Sequence, residues 1–303
     1  MTRLKRFIEA HSPIVDRELD RLLSPRPGEP GSIRRAMRYS VFAGGKRLRP
    51  VLVFAAARAC GKPSSSVAGA AAALEMIHAY SLIHDDLPAM DDDDLRRGKP
   101  TNHKVFGEAM AILAGDGLLT LAFEALALNA RRAGLDAKSA CELVRVVSEA
   151  AGTRGMVGGQ VADIEAEGLL GRKKSRAALA ARLRYIHERK TAALITASLD
   201  AGAILAKASL RQRNALRLYG RALGLAFQVA DDVLDVVGDK RKLGKKGSDR
   251  RNKKLTYASL CGLAAARGEA RRLVARAHAH LRPFGSGAQV LHELADYVVE
   301  RDR

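Results

Sequence analysis

Residues 215–237 read ALRLYGRALGLAFQVADDVLDVV, and the periodicity of this run decides the fold. Its apolar positions are filled by Ala and Leu, strong helix formers. It lacks the sustained apolar–polar alternation that a half-buried strand would show. VLVFAAARAC (51–60), SVAGAAAALEMIHAYSLIH (66–84) and AMAILAGDGLLTLAFEALALNARRA (109–133) have the same character. Turn-forming clusters separate these runs: SPRPGEPGS (24–32), GKPSS (61–65), LRRGKPTN (95–102), EGLLGRKKS (167–175), the basic stretch 239–254 and RPFGSG (282–287). The pattern predicts an all-α chain of about ten or more helices. No Pro/Ser-rich linker is long enough to divide it, so residues 1–303 are expected to form one domain.

Composition narrows the class. Hydrophobic residues make up 47% of the 303 residues, with no Trp, seven Phe and six Tyr, so Ala and Leu must supply most of the core. The start, MTRLKRFIEAHSPIV, is basic but lacks the apolar run of a secretory signal. No stretch reaches the roughly 18 uninterrupted apolar residues of a membrane span, so no stable membrane association is expected. Cys60, Cys141 and Cys261 are widely spaced. That suits free thiols in a reducing compartment, and a cytoplasmic location is expected. The formal charge is +19, from 52 Lys and Arg against 33 Asp and Glu, and the excess is densest at 171–190 and 239–254. Aromatic residues are not interleaved with these cations as a single-strand stacking platform requires, which argues against a nucleic-acid partner.

Against that excess, acid is concentrated in two places. In FQVADDVLD, Gln228, Asp231, Asp232 and Asp235 fall three, four and seven apart and share one helical stripe. Like charges on one face of an apolar helix need solvent or a cation. Carboxylate oxygens suit magnesium, which keeps waters and shares its coordination with phosphates. The second concentration is HDDLPAMDDDDLRRG (84–98), with six aspartates in ten positions. A solvated acidic loop would explain it in isolation; a second cluster at the end of another apolar helix argues for a shared purpose. Pro88 should end or kink the helix, because proline lacks the amide donor and clashes with the preceding turn. Asp91 can then swing back toward Asp85, while an undisturbed helix would bring Asp92 there instead. Helical geometry leaves that choice open.

Six motifs in order carry a family resemblance: GGKRLRP (44–50), HAYSLIHDDLPAMDDDDLRRGKPTNH (78–103), GMVGGQVADIEAEG (155–168), KTAALI (190–195), GLAFQVADDVLD (224–235) and GKKGSDRRNKKLTY (244–257). Together they resemble the polyprenyl diphosphate synthase family of trans-prenyltransferases, of the farnesyl/geranylgeranyl type. The resemblance runs from about residue 30 to the C-terminal end. It implies an isoprenoid-synthase bundle around a central cavity and head-to-tail condensation of isopentenyl diphosphate with an allylic diphosphate. It also implies a homodimer and three Mg2+ ions, two held by Asp85 and Asp91 and the third by Asp231. Asp86, Asp232 and Asp235 would support them. By the same resemblance, Arg96, Lys190, Lys245 and Lys254 neutralise the departing diphosphate. The Lys190 carbonyl, the Thr191 hydroxyl and the Gln228 amide carbonyl face the allylic cation. Lys46, Arg49, His78 and Arg97 hold isopentenyl diphosphate. His78 lies seven residues before Asp85 and therefore on the same helical face.

Tyr80, with Ser81 beside it, is the candidate chain-length position. It lies five residues before Asp85, roughly 7.5 Å deeper along the helix. An aromatic ring there matches the bacterial farnesyl synthases, so the fifteen-carbon product is expected and the twenty-carbon product is the alternative. A non-catalytic partner subunit of such a synthase is disfavoured because both aspartate motifs are whole. A terpene cyclase would replace DDVLD by an Asn/Ser/Glu motif. The pair Gly158–Gly159 is expected to serve close helix packing only.

Overall fold

The computed structural model describes residues 2–167, 175–237 and 255–300 of the chain. Among these residues it contains fourteen α-helices in chain order. They are α1 (Arg3–Leu22), α2 (Gly31–Val41), α3 (Leu48–Ala59), α4 (Ala68–Asp85), α5 (Asn102–Phe106), α6 (Glu108–Arg132) and α7 (Ala137–Ala151). Then come α8 (Met156–Ala166), α9 (Arg176–Ile186), α10 (Ala193–Leu205), α11 (Leu210–Val237), α12 (Tyr257–Cys261), α13 (Leu263–His280) and α14 (Gln289–Glu300). A π-helical turn, His187–Ala192, joins α9 to α10 without a break.

The expected breaks at 24–32, 61–65 and 95–102 all fall between helices. The fourth and fifth lie largely, or wholly, outside the described residues. The sixth is a 3-10 turn, Arg282–Ala288. The break at 95–102 holds the only strand pairing among the described residues, a hairpin of β1 (Leu95–Arg96) and β2 (Lys99–Pro100). Its two-residue loop puts Arg97 at φ 55° and Gly98 at φ 76°. Positive φ at both central positions is what a type I′ hairpin turn requires, and at Arg97 it is strained for a residue with a side chain.

One apolar cluster runs from Leu4 on α1 to Val298 on α14. Helices α3, α4 and α10 are apolar on all sides and sit inside it, as such helices must. Helix α4 is at the centre, packed on α6, α3, α1 and α10. Both α4 and α6 are long and apolar enough to cross a membrane by length and composition, which the sequence reading did not anticipate. They pack instead against each other. A smaller cluster of Ala162, Ala166, Leu179, Leu183, Ile186 and Leu255 ties α8 to α9 and to the start of the segment before α12. This packing fixes the ends of α4, α8 and α11 and the π turn around one region.

Candidate active site

Helix α4 stops at Asp85, three residues before Pro88. The chain then doubles back: the Asp91 amide donates to the Asp85 carbonyl at 2.9 Å, and Asp92 adopts a left-handed φ of 50°. Asp91 is thereby folded onto Asp85, whereas Asp92 is exposed. Burial pushes the Asp85 carboxyl above the usual range; the Lys190 ammonium opposes this and the neighbouring Asp91 adds to it. Asp86 points the other way. It is buried and accepts a forked pair from Arg96 Nε at 2.7 and 2.9 Å, with Asp93 3.7 Å from the same guanidinium. Burial raises the Asp86 carboxyl and the Arg96 pairing holds that rise back.

On the far side of Arg96 lies a cationic pocket lined by His78, Arg47, Arg96, Arg97 and Thr101. Burial pushes His78 well below the ordinary histidine range, and the fields of Arg49, Arg97, Arg96 and Arg47 push it further. Burial lowers Arg49 to about 10. The Nδ1 of His78 and the Nε of Arg49 are buried without a hydrogen-bond partner. Orphaned buried donors beside converging guanidiniums suit an anion. Arg97 donates to the Gly44 carbonyl and its guanidinium covers Gly45, where any Cβ would collide with it. Lys46 lies instead at the surface, its ammonium 5.5 Å from the centre of the Tyr297 ring on α14. Arg47 is structural: it bonds the Val41 carbonyl and Glu75 at 2.9 Å and pairs with Asp16 at 3.0 Å.

The π turn supplies the opposite wall. Lys190 Nζ meets Asp163 of α8 at 2.7 Å. The Thr191 hydroxyl donates to the Gln228 side-chain oxygen at 2.7 Å. The wider turn brings Lys190 so close to Gly159 that a Cβ there would stand 2.1 Å from the Lys190 nitrogen. Of the glycine pair, Gly159 thus packs on the turn itself, while Gly158 lies against the Thr153 carbonyl. π turns often mark functional positions in a helix. Asp232 keeps to the expected stripe, accepting from Gln228 Nε2 at 3.5 Å, but turns into the protein. It is buried, accepts from the Tyr257 amide at 2.6 Å, and lies 3.5 Å from His187 Nε2. Burial raises Asp232 to about 7 and lowers His187 to about 4. Asp231 is half-buried and Asp235 exposed. Lys245 and Lys254 lie outside the described residues.

Tyr80 is buried in the α4–α6 contact, edge-on to His84 at 5.5 Å, and the Ser81 hydroxyl donates to the His78 carbonyl at 2.9 Å. Among the described residues, no three His, Cys, Asp or Glu side chains converge enough to hold a metal alone. The available donors are hard carboxylate oxygens, and the charge of Asp85 is disfavoured by its burial, which a cation would reverse. That donor set fits magnesium, which takes few protein ligands beside phosphate. Asp163, His187 and Glu75 were not singled out from the sequence. Glu75 is an ionisable residue on a largely apolar helix, which was the available signal; His187 lies within the basic stretch 171–190 and carried no such mark.

The polyprenyl synthetase family model matches residues 30–286. The chain belongs to the polyprenyl synthetase family. It is 44% identical over 301 residues to a farnesyl diphosphate synthase of Geobacillus stearothermophilus, covering 99% of this chain and 98% of that one. It is 47% identical over 304 residues to the large subunit 1 of a heterodimeric chloroplastic geranylgeranyl pyrophosphate synthase of Arabidopsis thaliana, covering 97% and 78%. The crystal structure of a Zymomonas mobilis FPP/GFPP synthase superposes with a TM-score of 0.84 at 40% identity, covering 98% of each chain. These likenesses span nearly the whole chain, including every element that bears on the site.

Proposed function

We propose that the protein is a magnesium-dependent prenyltransferase that condenses isopentenyl diphosphate head-to-tail with dimethylallyl or geranyl diphosphate. The product is farnesyl diphosphate. A cytoplasmic homodimer of one-domain chains is part of the same reading. The observation that carries it is the cationic pocket lined by His78, Arg96 and Arg97, with His78 Nδ1 and the nearby Arg49 Nε buried without partners, next to a folded-back pair of carboxylates, Asp85 and Asp91. One half suits a bare diphosphate and the other a metal-bridged one.

Arg49, His78 and Arg97 clamp the isopentenyl diphosphate and fix its double bond toward the π turn, with Lys46 at the rim. Magnesium held by Asp85, Asp91 and Asp231 would supply positive charge to the allylic diphosphate. Lys190, and Arg96 from its fork on Asp86, stand where negative charge grows as the carbon–oxygen bond breaks. Cations so placed lower the barrier more than cations that only bind the ground state. The Thr191 lone pairs, oriented by the bond to Gln228, offer the allylic cation a dipole rather than an anion that would trap it. The double bond attacks the cation, and the released pyrophosphate takes the proton. A twenty-carbon product is the second reading, favoured by the Arabidopsis relative above.

The test is purified protein with magnesium, labelled isopentenyl diphosphate and each allylic primer, with product length read by chromatography. Asp85→Asn and Asp231→Asn should each reduce turnover by orders of magnitude while the fold survives. Full activity in excess chelator, or near-normal activity of both variants, would overturn the metal assignment.

A further inference from the structure

A second cationic site lies behind the catalytic turn, in an open groove between α7, α10 and α11. Glu188, Arg189 and Ala192 of the π turn line this groove, whereas Lys190 and Thr191 of the same turn point to Asp163 and Gln228. Five arginines reach it: Arg145, Arg154, Arg189, Arg217 and Arg221. Only three carboxylates do, Glu149, Glu188 and Asp200. Each of the three is already committed. Asp200 is buried, with Arg213 and Arg217 each 2.8 Å from one of its oxygens. Glu188 is shared by Arg221 at 2.8 Å and Arg184 at 3.0 Å. Glu149 is shared by Arg145 at 2.6 Å and Arg154 at 3.1 Å.

Arg189 is the exception. It donates to the Arg154 carbonyl at 2.5 Å and lies over the Tyr185 ring, with no carboxylate in ion-pair reach among the described residues. Glu142, outside the lining, adds a fourth carboxylate, 2.8 Å from Arg145 and 3.5 Å from Arg217, but Arg184 and Arg213 share the same acids, so the groove still carries more guanidinium than its acids neutralise. Between the arginines the lining is mostly small, Ala150, Ala192, Ala193, Thr196 and Ala197, with Val146 and Leu218 the larger apolar residues. Planar guanidinium forks around an unfilled trench match phosphate oxygens in geometry and charge. A pure helix-tying ion network would explain the pairs, but not the surplus cation or the open floor.

We propose that this groove binds a diphosphate group, at a site separate from the catalytic mouth. An anion held among Arg145, Arg154, Arg189 and Arg221 competes with Glu188 for Arg221 and so bears on the turn that carries Lys190 and Thr191. The group could be supplied by free pyrophosphate or by a prenyl diphosphate whose tail lies along the alanine floor. The site does not depend on the reaction proposed above.

Calorimetric titration of inorganic pyrophosphate into the full-length protein, in chelator and low salt, tests it. Wild type should show two classes of site. Arg145→Gln/Arg154→Gln should lose one class by about ten-fold or more in affinity and keep the other, and Arg97→Gln should do the reverse. Geranyl thiodiphosphate binding the groove more tightly than pyrophosphate would identify a tailed ligand; equal or weaker binding would identify the free anion. An Arg145→Gln/Arg154→Gln protein that binds like wild type, whether or not it is less stable, overturns the site. Should that variant not fold, hydrogen exchange on Arg97→Gln decides: pyrophosphate should slow exchange at residues 188–197, and no protection there overturns the proposal. No turnover is measured, so either outcome leaves the proposed reaction standing.

Discussion

At Gly159 a single missing methyl group sets the position of the π turn. A Cβ there would meet the Lys190 nitrogen at 2.1 Å and the Lys190 Cα at 2.6 Å, and both are backbone atoms that no rotamer change can move. Gly159→Ala should therefore displace the turn that presents Lys190 and Thr191. The expected outcome is a loss of about 1–3 kcal/mol in denaturant unfolding together with a fall in kcat larger than the change in KM. Unaltered kcat in a folded variant would show that the turn tolerates the shift. Tyr80 makes a different kind of contact. Its ring is edge-on to His84, and the His84 imidazole fills the space where Gly115 of α6 would carry a Cβ. The ring therefore plugs the α4–α6 seam below Asp85. Tyr80→Ala should open that seam, shift product toward twenty carbons or longer, and destabilise the fold by about 3–5 kcal/mol. An active, folded variant with an unchanged product spectrum would mean that another residue sets the depth.

Among the elements, those bounded by Pro and Gly were legible in the sequence, because these residues act on the local backbone. The end of α4 before Pro88 and the gap before α2 fall where expected. The π turn and the β1–β2 hairpin were not legible. Neither Lys190 nor Arg97 belongs to a residue type that announces a bulge or a left-handed turn, and both conformations are imposed by packing, at Gly159 and at the Gly44–Gly45 loop. The fork from Arg96 to Asp86 was hidden for the same reason, since it closes across an irregular turn. Helices α13 and α14 carry another pairing that spacing does not reveal. His278 and His292 stack at 4.9 Å with their Nδ1 atoms 2.6 Å apart, and His278 Nε2 meets Asp296 at 2.7 Å. Burial first, then the facing His278, lowers His292 below its ordinary 6.5, partly offset by Asp296. The folded state thus binds its proton less readily than the unfolded chain does. Stability from this contact is complete above the unfolded value and declines as pH falls through it toward the folded value. Urea midpoints should be flat from about pH 8 to 7 and fall below about pH 6. In His292→Gln that fall should be shallower; an identical slope would place the acid sensitivity elsewhere.

Across the whole molecule, the all-α class followed from composition, but which apolar helix lies at the centre did not. Helices α4 and α6 are both apolar around their whole circumference, so neither has a strong stripe to mark its outer face. The structure separates them. Less than half of the apolar stretch of α6 is buried, whereas nearly three-quarters of that of α4 is. Its N-terminal half presents Ile112 and Leu113, 45% and 55% exposed, with Val105 of α5 close by in the chain at 46%. An all-round apolar helix left half in water lacks a partner surface. Were the proposed homodimer to form through this face, a second copy of α6 would cover it, apolar side to apolar side. Leu113→Asp would put a carboxylate at the centre of that contact, where it meets either hydrocarbon or its own symmetry mate. Sedimentation should give the dimer mass for wild type and the monomer mass for Leu113→Asp. Leu210→Asp, at a 67% exposed position on α11, should leave the dimer intact. A Leu113→Asp protein that still sediments as a dimer would move the interface off α6, and a monomeric wild type would remove it.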